Sequence, residues 1–431
     1  MKKLVIKGGK KLFGQVNIAG AKNAALPIMV ASILTDEGLT LSNVSHVNDI
    51  STMANLLGSL GIEIKFDGFD AVEGYEARKM CLTAKDISNQ VADYELVSKM
   101  RASILIMGPL LARFGKARIS LPGGCAIGTR PIDLHLMAME KLGATINLEA
   151  GYVEAVANGG LKGAVIDFEK VSVGATQNVL MAACLAKGET VVNNAAREPE
   201  IVDLAKCLNS MGAKISGAGT SVIKISGVEK MHKASHRIIG DRIEAGTYAV
   251  AAGITGGCIQ IHGVNLALFD GFGDVLQKSG IELTQIGDNI VEAKRTVDKI
   301  NPVSFATEPY PGFPTDMQAQ VMALMTVCDD SQGTCTVEEN IFENRFMHIL
   351  ELARMGANIK SSGKKAIVTG VKKLSGAEVM ATDLRASVCL VLAALVANGT
   401  SVINRLYHLE RGYEALADKL SACGADIKIE Y

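Results

Sequence analysis

Six times along this chain an amphipathic stretch ends in glycine, and a small or apolar residue then leads into an alternating segment. The copies are LGSLGIEIKF at Gly61, EKLGATINLE at Gly143, LNSMGAKISG at Gly212, LQKSGIELTQ at Gly280, LARMGANIKS at Gly356 and LSACGADIKI at Gly424. Glycine leaves a helix in the left-handed conformation without a Cβ penalty, so each copy reads as helix, C-cap and strand. Successive glycines lie 82, 69, 68, 76 and 68 residues apart, which makes the pattern a repeat of about 70 residues.

A second piece precedes each copy: an apolar helix rich in small residues, a glycine turn and a β-branched strand. Examples are RASILIMGPLLARFGKARISL (101–121), GATQNVLMAACLAKGETVVNN (174–194), EAGTYAVAAGITGGCIQIH (244–262) and LRASVCLVLAALVANGTSVIN (384–404). These helices show little polar face and belong in a core, whereas the amphipathic ones belong outside. The expectation is an α/β protein of six helix–strand–helix–strand units, three in each of two domains. The polar segment Ser226–Gly246 separates two apolar runs and places the crossover near Gly240. Three units per domain leave a cleft between domains, a common place for a ligand.

The composition narrows the function classes. With 48% apolar residues, 21% charged residues and a net charge of -1, no global field points to nucleic acid or an anionic membrane. No uncharged apolar run reaches membrane-spanning length, and the N-terminal MKKLVIKGGKKLFGQV lacks the apolar stretch of a signal peptide. The nine cysteines (Cys81, Cys125, Cys184, Cys207, Cys258, Cys328, Cys335, Cys389, Cys423) form no CxxC pair and no metal spacing with histidine. Zinc is not expected, and a reducing cytoplasm is the natural compartment.

Charges stand where a core helix should begin. Lys22, Arg101, Asp316 and Arg385 open the strings KNAALP, RASILI, DMQAQV and RASVCL. An acid suits a helix N-terminus, but a cation there opposes the macrodipole unless an anion binds too. An anionic ligand is therefore expected. The segment LPGGCAIGTRPIDLHL (Leu121–Leu136) has the glycines of an exposed loop and one thiol, Cys125, near Arg130, which would favour its thiolate. A plain turn with a stray cysteine fits the same residues.

These residues carry a resemblance. GAKNAALPI (20–28), MRASI (100–104), LPGGCAIGTRPIDLH (121–135), LKGA with KVSVGAT (161–176) and NAAREPEIVD (194–203) run in order through the first half. FPTDMQAQ (313–320), FENRFMH (342–348), ATDLRAS (381–387) and RGYEALADKL (411–420) continue through the second. Together they resemble the UDP-N-acetylglucosamine 1-carboxyvinyltransferase family, one of the enolpyruvyl transferases. The resemblance implies a two-domain inside-out α/β barrel with the active site in the interdomain cleft. Its domains would be residues 22–239, and 1–21 with 240–431. It implies transfer of enolpyruvyl from phosphoenolpyruvate to the 3′-hydroxyl of UDP-N-acetylglucosamine, without cofactor or metal.

By resemblance, Lys22, Arg130 and Arg411 hold the phosphoenolpyruvate phosphate, Arg345 and Arg385 its carboxylate side, and Arg101 joins the cation cluster. Cys125 is the general acid and Asp316 the base; Asp383 is a second acid, with a plain ion pair to Arg385 as the alternative. The sugar nucleotide falls to Asn23, Arg130, Pro131, Ile132, Asp133, Leu134, Lys170, Val171, Ser172, Val173 and Gly174, with Asp316 and Ile341 at the sugar end. Ile341 stands where valine is common. For His135, packing and function both stay open. The competing readings are the sibling 3-phosphoshikimate 1-carboxyvinyltransferase, a non-catalytic nucleotide-sugar-binding homologue and a purely structural repeat. The sequence assigns no oligomeric state.

Overall fold

In a computed structural model the chain divides into two compact units, each with its own apolar core. The structure describes residues 2–72, 75–87, 89–121 and 131–431. Cys125 and Arg130 therefore lie outside the described residues. One unit takes the chain up to Ala19 together with Gly240–Tyr431, and the other runs from Gly20 to Ile239. The first crossing thus falls two residues before the expected 21/22 edge. Ala21 belongs with the second unit, where its N–H donates to Ile239 O at 2.7 Å.

Each unit holds three four-stranded sheets among the described residues, all on one plan. In the sheet Val165–Asp167, Glu189–Asn193, Val222–Ser226, Lys214–Ser216 the first pair is parallel and the next two are antiparallel. The other five sheets repeat that order. The strand that follows each repeat glycine is always an edge strand, and all six glycines have φ between 88° and 103°. These edge strands are mostly exposed: in Asn358–Ser362 and Thr145–Glu149 only Ile359 and Ile146 are half-buried. Four strands per sheet is more than the two strands each sequence repeat supplies. In one unit the strands Lys3–Lys7 and Phe13–Asn17 complete sheets with Thr400–Asn404 and Cys258–His262. In the other, Ala234–Arg237 pairs with Leu39–Val44.

The apolar helices line the cores. Arg242–Thr255 and Gln318–Met325 are buried throughout, and in Val388–Val396 only the last residue is not. These three pack against one another. In the other unit Met107–Phe114 packs on Val173–Ala183, and Lys22–Ala31 on the 3-10 run Arg101–Ile106. Amphipathic helices such as Asn48–Ser59 bury one stripe, Ile50, Met53, Leu56 and Leu57.

The expected start of four core helices at a charged residue needs correction. Only Lys22 is the first residue of an α-helix. Arg101 opens a 3-10 run, Asp316 lies in the 3-10 turn Thr315–Met317, and Arg385 stands three residues before Val388–Val396. Side chains compete for the backbone at these entries. Ser103 Oγ donates to Met100 O at 2.6 Å, and Ser387 Oγ accepts the N–H groups of Thr382 and Asp383.

Two glycines separate two kinds of cost. A Cβ on Gly257 would stand 1.8 Å from Leu12 O, whereas one on Gly356, with φ 88°, meets nothing within 4 Å. Gly356→Ala should cost about 1–2 kcal/mol of left-handed strain. Gly257→Ala, which must move a strand, should cost about 3 kcal/mol or more. Urea unfolding of both variants checks the order, and equal losses would refute it.

Candidate active site

In the Gly20–Ile239 unit, Lys22 opens its helix with no side-chain cap and no acid in the first turn. Its charge is answered from the neighbouring helix: Nζ lies 3.2 Å from Asp49 Oδ2, and both side chains are less than a tenth exposed. Breaking such a pair by removing one partner costs about 3–5 kcal/mol, because the other charge stays buried. The sequence reading missed Asp49. Its signal was an acid in the first turn of an amphipathic helix, an ordinary position that names no partner.

Two of the expected nucleotide-binding stretches meet in this unit. Asp133 and Leu134 start the helix Asp133–Lys141, and Lys170–Gly174 leads into Val173–Ala183, where Ser172 Oγ accepts the Ala175 N–H at 3.3 Å. A Cβ at Gly174 would stand 3.1 Å from His135 Nε2, so glycine lets the two helix starts approach. Pro131 and Lys170 are exposed, Ile132 is buried, and Val171 and Val173 are half-buried. Asn23 is half-buried on the Lys22 helix.

His135 is buried, and its protonation follows from its neighbours. Asn178 Oδ1 accepts the Gly108 N–H and its Nδ2 donates to Ile104 O, which fixes the amide. The same Nδ2 therefore donates to His135 Nδ1 at 3.1 Å, leaving the neutral ring's proton on Nε2. Burial, and then the charge of half-buried Arg101, push this imidazole down to about 4. His135 is thus part of a packed network that also presents its Nε2 face to Gly174.

In the unit containing Gly240–Tyr431, Asp316 and Arg345 meet. Arg345 is 5% exposed, its Nη2 lies 2.7 Å from Asp316 Oδ1 and its Nη1 donates to Thr315 Oγ1 at 3.1 Å. Burial opposes its charge, but Asp316, Asp383 and Glu339 together hold the guanidinium more firmly protonated than usual. Phe342 lies over it, with the guanidinium carbon 5.3 Å from the ring centre. Half-buried Ile341 has its N–H taken by Glu339, a residue that the sequence reading missed.

Arg385 is held as tightly. Its Nη2 lies 2.8 Å from Asp241 Oδ2 and its Nη1 donates to Gly412 O at 3.0 Å, beside half-buried Arg411. Burial works against both charges of the pair; Arg385 keeps the Asp241 carboxyl below its usual range, and Asp241 raises Arg385. Asp241 also accepts the N–H groups of Ile243 and Glu244, so one carboxylate caps the Arg242–Thr255 helix and anchors the arginine. A capping-box pattern, Asp241 with Glu244 three residues on, was present in the sequence and unread. The alternative ion pair of Asp383 with Arg385 takes a different form. Asp383 Oδ1 accepts the main-chain N–H groups of Arg385 and Ala386, and the guanidinium goes to Asp241.

A family model described as EPSP synthase (3-phosphoshikimate 1-carboxyvinyltransferase) matches residues 6–420. The solved enolpyruvyl transferase NikO from Streptomyces tendae superposes with a TM-score of 0.87 at 24% identity, covering 100% of this chain and 99% of that one. An EPSP synthase from Acinetobacter baumannii gives 0.74 at 17% identity, with full coverage of both chains. The chain belongs to the EPSP synthase family of enolpyruvyl transferases. Sequence identity is higher with members of one branch. A UDP-N-acetylglucosamine 1-carboxyvinyltransferase from Paramagnetospirillum magneticum is 55% identical over 99% of this chain and 98% of its own length. One from Chelativorans sp. is 54% identical over 99% of each. No helix among the described residues is long and apolar enough to cross a membrane.

His348 gives this site a pH signature. It is fully buried, both ring nitrogens lack a partner among the described residues, and burial is the main cause that pushes it down to about 4; Asp383 opposes and Arg345 adds. Unfolded histidines take up protons below about pH 6.5, whereas His135 and His348 in the fold wait until about 4. Their contribution to stability is present above that window and lost as pH falls through it. Histidine NMR should show both rings neutral from pH 8 to 5, with the urea midpoint falling between pH 6.5 and 4. A ring titrating near 6.5 would count against its burial.

Proposed function

We propose that the protein transfers the enolpyruvyl group of phosphoenolpyruvate to the 3′-hydroxyl of UDP-N-acetylglucosamine, releasing phosphate, as the first committed step of peptidoglycan synthesis. One observation carries the choice of acceptor: near-full-length identity of 54–55% with relatives that bear this name. The inside-out barrel arrangement of three repeats per unit, and a cytoplasmic location, belong to the same reading.

The chemistry asks for cations and for a proton donor and acceptor. Phosphoenolpyruvate carries a phosphate and a carboxylate, and the nucleotide a diphosphate. Guanidinium groups suit both through their paired N–H fork. The reading gives Lys22, Arg130 and Arg411 the transferred phosphate and Arg345 with Arg385 the carboxylate side, with Arg101 supporting them. Asp49 and Asp241 support it by holding Lys22 and Arg385 in fixed places before any ligand arrives. Asn23, Pro131–Leu134, Lys170–Gly174 and Ile341 take the sugar nucleotide.

In the addition step Asp316 accepts the hydroxyl proton, the oxygen bonds to C2 of phosphoenolpyruvate, and Cys125 supplies a proton to C3. The tetrahedral ketal then loses a proton from C3 as the C2–O bond to phosphate breaks, restoring the double bond. Asp383 serves as a second acid in this reading. No cofactor or metal enters the sequence.

Phosphate release should occur with phosphoenolpyruvate plus UDP-N-acetylglucosamine and be absent with 3-phosphoshikimate. Asp316→Asn should lower kcat by about 100-fold or more. Cys125→Ala should abolish release, and an epoxide of the fosfomycin type should add its mass to wild type in the presence of nucleotide. Release with 3-phosphoshikimate would reverse the acceptor. Nucleotide binding without release would favour a non-catalytic homologue.

A further inference from the structure

Glu339 is 1% exposed, and its two carboxylate oxygens do different work. Oε1 accepts the N–H groups of Ile341 at 2.9 Å and Phe342 at 3.1 Å, and the Thr307 hydroxyl at 2.9 Å. Oε2 accepts the Thr315 hydroxyl at 2.9 Å. With its proton committed to Glu339, Thr315 Oγ1 has lone pairs for Arg345 Nη1, which donates to it at 3.1 Å. The other end of that guanidinium meets Asp316 at 2.7 Å. Thr307 behaves alike: it gives its proton to Glu339 and accepts the Asn340 N–H at 2.9 Å. The strand Thr334–Glu338 ends beside this carboxylate, with Glu339 N donating to Lys364 O at 2.8 Å, so its own backbone is fixed.

A carboxylate is needed here because it only accepts. Four donors converge on it, and an amide would turn a donor toward one of them. Burial makes each bond count, since a group left without its partner in the interior keeps the full cost of lost hydration.

We propose that Glu339 is a positioning residue that sets two parts of the site at once: the Ile341–Phe342 turn through Oε1, and the Arg345–Asp316 pair through Oε2 and Thr315. This rests on the reading of Asp316 as the base and Ile341 as a sugar contact. Glu339 touches neither substrate; it acts through Thr315 and through the turn. One group thereby ties the pose of the acceptor sugar to the pose of the group that removes its proton.

The experiment compares Glu339→Gln, Thr315→Val, their double variant, Thr315→Ser and Glu339→Ala, using phosphate release with phosphoenolpyruvate and UDP-N-acetylglucosamine. Thermal melts first establish that each variant is folded. Thr315→Val cuts only the Oε2 arm, so kcat should fall about 10-fold to 100-fold with the nucleotide KM little changed. Glu339→Gln keeps an oxygen on the turn and sets its amide nitrogen against Thr315, so kcat should fall by a similar factor with the nucleotide KM little changed, whereas Glu339→Ala, which removes both arms, should also raise the nucleotide KM. The double variant should be no slower than the slower single, and Thr315→Ser should recover most of what Thr315→Val loses. Additive losses, or kcat unchanged in folded Glu339→Gln, would overturn the proposal. A crystal structure of Glu339→Gln supplies a readout independent of turnover: the Arg345 Nη2–Asp316 Oδ1 contact, 2.7 Å here, should open beyond hydrogen-bond distance. An intact contact overturns the inference even if wild type is active. Inactive wild type with an opened contact overturns the proposed reaction and keeps the positioning role.

Discussion

The buried pairing of Arg385 with Asp241 is the interaction on which most of its unit depends. Asp241 stands at the entry of the Arg242–Thr255 helix and Arg385 before Val388–Val396, 144 residues on. Both helices lie in the core, where a lone charge would be expelled or neutralised. Each partner therefore requires the other. The carboxylate also caps its helix, and the guanidinium takes Gly412 O, so one ion pair fixes a helix start, a second helix entry and the turn near Arg411. The same device recurs with Lys22 and Asp49 in the other unit. Such pairs do not add much net stability, because desolvation offsets attraction. What they supply is position.

Position is what enolpyruvyl transfer needs. Its substrates carry several negative charges, and a flexible cation would lose entropy on meeting them. Here Lys22, Arg345 and Arg385 are already held, each by an acid from another element. The arrangement also explains why cations can stand at the entries of buried helices. A bound anion was the reason read from the sequence; internal carboxylates are a second and sufficient one. The two are compatible, since a guanidinium bound on one edge keeps N–H groups on the other.

Six helix ends were legible because a left-handed glycine leaves a mark in sequence. Gly61, Gly143, Gly212, Gly280, Gly356 and Gly424 each end a helix with positive φ and precede an edge strand. Four strands per sheet were not legible, because Lys3–Lys7 and Ala234–Arg237 find their partners far along the chain. Asn178 shows the same limit within a site. Nothing near His135 in sequence says that an amide 43 residues later fixes its tautomer.

By itself the sequence determined the α/β class, the six glycines that end helices and the residue types that the chemistry requires. Periodicity, glycine positions and motif strings are local, and local preferences are written in consecutive residues. Only the tertiary structure decided which charge answers which: Asp49 for Lys22, Asp241 for Arg385, Asp316 for Arg345, and Glu339 beneath Thr315. These partners come from different elements, and a buried charge selects its partner by distance in space, which spacing along the chain does not encode.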